Sequence, residues 1–209
     1  MDEIIRAQRA TVDEHIRREN GKNWPGVYDT FIQDESAFYD VVPFNVRYSG
    51  FSGVKDFYQA ANVAFPDFDI TVWGEYDMPG CSVREVTISG THKGDWCGIP
   101  GTGRHVRWQL AGFFPFGTGQ QAGKLLAERI YFDNETIMRQ LRGEMDEASV
   151  VDFPTASGKG CAIRRVIHAP GRVMLERCLP HGAASVYHGR FFRDQTPRVQ
   201  GRRILLRPA

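Results

Sequence analysis

Asp133 stands where an apolar run, Leu125–Phe132, gives way to the polar stretch Asn134-Glu135-Thr136. In an extended chain side chains alternate between faces. That places Leu125, Ala127, Arg129 and Tyr131 on the face of Asp133, with Glu128, Ile130 and Phe132 opposite. If the first face looks into an apolar pocket, burial raises the carboxyl pKa and makes Asp133 a stronger general base for an acidic C–H proton. Arg129 and Tyr131 then lie beside it as substrate-binding groups. A guanidinium buried there needs a partner; Asp133, Glu85 and Glu75 are available, and pairing with Asp133 would lower its pKa. The same aspartate is also an ordinary helix N-cap. His92 ends the face carrying Val86, Ile88 and Gly90. It can polarise a carbonyl oxygen, or simply bond to a neighbouring loop. Trp108, Phe57, Tyr58, Phe38 and Tyr39 are candidates for a pocket wall, with plain core packing as the alternative.

Helices and strands must position these residues. Ile5, Val12 and Ile16 recur with helical spacing up to the stop signal Asn20-Gly21. Trp24-Pro25 opens a second short helix through Phe31, since proline sits well in a first turn. Val54, Phe57, Tyr58, Ala61 and Phe65 form a third helical stripe, capped by Ser52 and ended by Pro66. After Pro66 the period becomes two. Strands are expected over 68–72, 81–92, 105–116 and 124–132, followed by a short helix from Asp133 to Leu141. Three helices, a four-strand meander and a last helix predict an α+β fold: a cone-shaped, curved antiparallel sheet closed by N-terminal helices around one apolar pocket.

The 209 residues carry a net charge of only +1, which excludes strong steering by the molecule as a whole. That balance hides a split. Residues 151–209 hold eleven Lys and Arg against three Asp and Glu, whereas residues 1–150 hold fifteen against twenty-two. The shift predicts a domain over 1–146 and a basic Arg/Gly/Pro-rich extension over 147–209, weakly ordered or carrying a hairpin about Ala169-Pro170-Gly171. No apolar run is long enough to span a membrane, and no nucleic-acid recognition motif accompanies the basic stretch. The first residues lack the layout of a secretory signal. The four cysteines form no CxxC and are read as reduced thiols, so a cytoplasmic location is expected. The six histidines show no i, i+4 pair or His-x-His spacing, so no metal is expected. Gly98–Gly103 lacks the ending of a phosphate loop.

The series Gly50-Phe51-Ser52-Gly53, Ala64-Phe65-Pro66-Asp67, Gly90-Thr91-His92-Lys93-Gly94, Gly98-Ile99-Pro100-Gly101-Thr102-Gly103-Arg104, Gly123-Lys124, Asp133 and Arg139-Gln140-Leu141 resembles the SnoaL-like polyketide cyclases of the nuclear-transport-factor-2-like superfamily. The likeness spans roughly residues 5–143. It implies a homodimer of α+β cones. It also implies intramolecular aldol closure, or isomerisation, of a small hydrophobic carbonyl compound without metal or cofactor. In that frame Asp133 is the acid/base aspartate. The superfamily also holds epoxide hydrolases and non-catalytic binding proteins, so both remain open alternatives. The chain departs from the pattern at Gly101, where a second proline is usual, and at Phe44-Asn45, where a pocket histidine is usual.

Overall fold

The structure is a computed structural model that describes residues 2–151 and the backbone of Ile163–Ala169, Arg172–Cys178 and Ala184–Tyr187. The chain divides into two compact units between Phe153 and Pro154.

The first unit opens with α1 (Asp2–Asn20), whose stripe Val12 and Ile16 is buried. His15 and Glu19 lie on the same side, one turn apart. α2 (Trp24–Tyr28) has Pro25 in its first turn and is capped by the Asn23 side chain, which accepts from the Gly26 N–H at 3.2 Å. Two short strands follow, β1 (Phe38–Val41) and β2 (Val46–Ser49). Asn45 turns between them in the left-handed region, φ 52°. α3 (Gly50–Ala64) then packs against both strands. A Cβ added at Gly53 would lie 2.6 Å from the carbonyl carbon of Tyr48, so glycine is what lets α3 approach β2 so closely.

The long strands are β3 (Asp69–Met78), β4 (Cys81–Thr91), β5 (His105–Pro115) and β6 (Ala127–Phe132), followed by α4 (Asn134–Leu141). Their meander is antiparallel, as the period-two pattern predicts. The sheet, however, has six strands in the order β2-β1-β6-β5-β4-β3, with β1 parallel to β6. Runs of four residues broken by Pro43 are too short to show a period, which is why β1 and β2 escape a reading of the sequence. Ser52 lies inside α3; Ser49 holds the N-cap position, with no side-chain hydrogen bond. Val12, Val27, Val54, Phe31, Leu125 and Ile137 are almost wholly buried between the helices and the inner face of the sheet.

In the second unit β7 (Ile163–Ala169), β8 (Arg172–Cys178) and β9 (Ala184–Tyr187) form a three-stranded antiparallel sheet. The expectation of a weakly ordered extension falls largely on residues 152–162, 179–183 and 188–209, which lie outside the described residues.

Candidate functional site

The helices and the inner sheet face enclose a cavity of about 230 Å³. Its walls are apolar and aromatic: Tyr39 stacks on Phe57 at 3.5 Å, and Phe65 packs against Trp96 and Trp108, both at 5.2 Å. From β6 the cavity receives Glu128, Ile130 and Phe132. This reverses the expected facing of that strand. Register explains it: the ladder sets Ile130 opposite Gly112 and Arg129 opposite Phe113, and Gly112 lies on the inner face with Leu110 and Phe114.

At its deep end the cavity meets a polar floor. Glu19 and Glu128, each 5% exposed, and Tyr58, 2% exposed, line it. The Tyr58 hydroxyl lies 2.9 Å from Glu19 Oε1, 2.9 Å from Glu128 Oε2 and 3.1 Å from His15 Nε2. His15 stands behind them, with Nε2 3.3 Å from Glu128 and 3.5 Å from Glu19. Its other nitrogen is assigned by its partner. Thr30 donates its only hydroxyl hydrogen to the Val27 carbonyl at 2.6 Å, so at the 2.8 Å contact His15 Nδ1 must be the donor. Nε2 is thereby aimed at the carboxylates.

Burial opposes a charge on His15, but the Glu19 carboxylate and hydrogen bonds to Glu128 and Glu19 outweigh it and push its pKa up to about 10. Burial, then the nearby Glu19 charge, raises the Glu128 pKa, against hydrogen bonds from His15 and Tyr58. Burial together with the same carboxylates raises the phenols of Tyr39 and Tyr58 well above the usual range. The floor is thus a proton-sharing cluster in a low-dielectric pocket, the setting in which a carboxylate becomes an effective base. One atom from each of His15, Glu19 and Glu128 lies within 4.8 Å of the others, so these three could also hold a cation. The Tyr58 hydroxyl already bonds to all three, and the His15 cation balances one carboxylate charge there.

The residues singled out from the sequence divide. Trp108, Phe57 and Tyr58 line the cavity, and so does Tyr39. Asp133 does not. It is exposed and caps α4, accepting from the Glu135 N–H at 3.0 Å and the Thr136 hydroxyl at 2.7 Å. Arg129 points away from the cavity to Asp40, at 2.9 Å, which Arg47 grips bidentately at 2.7 and 2.8 Å. That is one carboxylate between two guanidiniums. Tyr131 is on the outer face against Phe113, ring centroids 5.3 Å apart, and Phe38 lies under the Arg47 guanidinium at 4.0 Å. His92 is wholly buried outside the cavity lining; its Nδ1 accepts from the Thr102 N–H at 3.2 Å and pins the 92–104 loop. Burial lowers its pKa. The loop it pins carries Asp95, Trp96 and Cys97 to the cavity's mouth, where Trp96 Nε1 donates to Asn134 at 3.0 Å.

Sequence reasoning missed His15, Glu19 and Glu128. The pair His15 and Glu19 is spaced i, i+4 inside an apolar stripe, a signal that a search for histidine pairs alone passes over.

A sequence model described as SnoaL-like polyketide cyclase matches residues 10–141. No curated protein matches. Among solved structures, AclR of Streptomyces galilaeus, a provisionally assigned hydroxylase, superposes with a TM-score of 0.56 at 18% identity, over 68% of this chain and 99% of its own. A provisionally assigned SnoaL-like polyketide cyclase from Jannaschia sp. CCS1 gives 0.57 at 18% identity, over 66% and 93%. IdmH of Streptomyces antibioticus, likewise a provisional polyketide cyclase, gives 0.54 at 17%, over 65% and 98%. At these identities the likeness carries the fold.

Proposed function

Taking as premise that the chain belongs to the SnoaL-like polyketide cyclase family, we propose that it is a cofactor-independent acid/base enzyme acting on a small hydrophobic carbonyl compound held in the cavity. The observation that supports this most is the floor: two buried carboxylates share one tyrosine hydroxyl at the end of an apolar cavity.

The reaction runs as proton transfer and ring closure. Glu128 as carboxylate takes a proton from the carbon next to the substrate carbonyl. The C–H electron pair moves to the carbonyl oxygen, and the Tyr58 hydroxyl turns its one hydrogen from the Glu19 carboxylate to the enolate oxygen. The enolate carbon then attacks a second carbonyl of the same molecule. Glu128 returns its proton to the new alkoxide, so no atom or electron is left over. If the proton goes back to a different carbon, the result is an isomerisation. His15 does not line the cavity; it is a positioning residue that holds the two carboxylates in place. The cavity contributes by folding the substrate into reactive geometry, worth up to roughly 7–11 kcal/mol in intramolecular reactions. Asp133 and His92 act in this reading through structure, as helix cap and loop anchor. We propose further that two copies pair through the outer sheet face, where Phe113 and Tyr131 are exposed.

The test is C–H to C–D exchange of 2-tetralone in D₂O, followed by NMR. Wild-type protein should exchange the activated carbon faster than buffer, and Glu128→Gln should lose roughly 10²- to 10⁴-fold of that rate. Exchange no faster than buffer would leave a protein that binds and does not catalyse.

A further inference from the structure

The cavity has a size, a direction and a charge preference, and together they define the ligand more narrowly than "hydrophobic carbonyl". We propose that its ligand is an uncharged molecule of about two fused rings, bound with its oxygen-bearing end inward against Glu19, Tyr58 and Glu128. The proposal rests on the preceding reading only in using the same cavity.

Size comes first. An apolar cavity of about 150 Å³ accepts benzene, so about 230 Å³ accommodates one more fused ring and not three more. Direction follows from exposure. Of the polar residues that line the cavity, Glu19, Tyr39, Tyr58, Arg84 and Glu128 are buried, whereas Asp95 and Cys97 are exposed. One end is therefore sealed and the other is the mouth. Between them run the rings of Phe57, Phe65, Trp108 and Phe132, which offer a flat aromatic body contacts along its length. At the sealed end an oxygen on the ligand meets the Tyr58 hydroxyl.

Charge decides the remainder. A carboxylate carried inward would be desolvated against Glu19 and Glu128, and Asp95 faces it at the entrance. The cation His15 is behind the two carboxylates and committed to them. Among the described lining residues the other cation is Arg84, and its guanidinium is held by Asp77 at 2.8 Å and Asp13 at 3.3 Å. A buried anion without a counter-charge is strongly disfavoured. A neutral carbonyl, by contrast, can accept from Tyr58. Arg84 Nε is buried with no hydrogen-bond partner among the described residues and is the group an anion would have to reach.

The probes are 2-acetylnaphthalene and 2-naphthoate, which share ring, shape and carbonyl and differ by a methyl against an oxyanion, and 1-acetylpyrene, which carries four rings. Binding is read at pH 7.5 by calorimetry and by quenching of tryptophan fluorescence. 2-Acetylnaphthalene should bind at least about tenfold tighter than either of the others. Ala60→Trp, at an exposed position that lines the cavity, should abolish that binding without unfolding the protein. Equal or tighter binding of 2-naphthoate, above all if Arg84→Met removes it, overturns the charge preference. Equal binding of 1-acetylpyrene overturns the size limit. Binding that survives Ala60→Trp, or no binding of 2-acetylnaphthalene at all, overturns the whole proposal. Failure here is separable from failure of the catalytic reading: exchange of 2-tetralone with no charge discrimination keeps the enzyme and removes this inference, and the converse keeps the inference alone.

Discussion

Tyr58 has one hydrogen to give and three partners within 3.1 Å, so it donates to one carboxylate at a time while its oxygen accepts from His15. Tyr58→Phe should leave the fold intact and reduce 2-tetralone exchange by about 10²-fold, the usual worth of one positioned donor at a developing oxyanion. The same cluster sets a pH dependence of stability. His15 titrates near 10 in the folded protein against an ordinary value of 6.5, so its stabilisation is complete below about 6.5 and is lost as pH rises toward 10. Glu128, also raised, acts in the same direction. Thermal melts from pH 6 to 10 should show a steadily falling Tm, and His15→Gln should flatten that slope while lowering Tm at neutral pH. A wild-type Tm that does not move over this window would show that His15 is not held charged.

At the scale of elements, β6 delivers alternate residues to different tasks. Glu128, Ile130 and Phe132 go to the cavity; Arg129 and Tyr131 go to the outer face. Asp133 follows them as the cap of α4, and its two hydrogen bonds define a clear pair of outcomes. Asp133→Asn should leave both Tm and exchange nearly unchanged, because asparagine caps about as well. Asp133→Ala should destabilise the protein by about 1 kcal/mol, measured by urea denaturation. A loss of turnover in Asp133→Asn at unchanged stability would return the catalytic role to this residue. The two strands that no period announced both reach the cavity wall: β1 carries Tyr39 and β2 carries Tyr48, each against Phe57 of α3.

At the largest scale, the proposed pairing of two copies rests on the outer sheet face. Phe113 and Tyr131 are 37% and 38% exposed and pack on each other; on β3, Tyr76 and Met78 are about half exposed. Neighbouring apolar side chains in the open are what an interface buries. Sedimentation at micromolar concentration should give twice the chain mass, and Phe113→Lys should shift it toward one chain mass without loss of Tm. A wild-type protein that runs as a single chain at every concentration would remove the paired assembly. No helix among the described residues is long and apolar enough to cross a membrane.

Local pattern sufficed for much of this protein. The stripe of α3, the proline in the first turn of α2, the alternation along β4 and β5 and the Asp133 cap are all short-range consequences of residue type, and the order of motifs indicates the family whose model matches residues 10–141. What local pattern cannot supply is which face of a strand looks inward. Both faces of β6 alternate equally well, and an arginine and a tyrosine look as fit for a pocket as a glutamate and a phenylalanine. Pairing with β5 decides it, because the inner face of the cone is set by the register of all its strands at once. The floor depends on the same long-range fact. His15 and Glu19 come from α1, Tyr58 from α3 and Glu128 from β6, separated by up to 113 positions in the chain, and they become one group of proton-sharing side chains only where the helices close over the sheet.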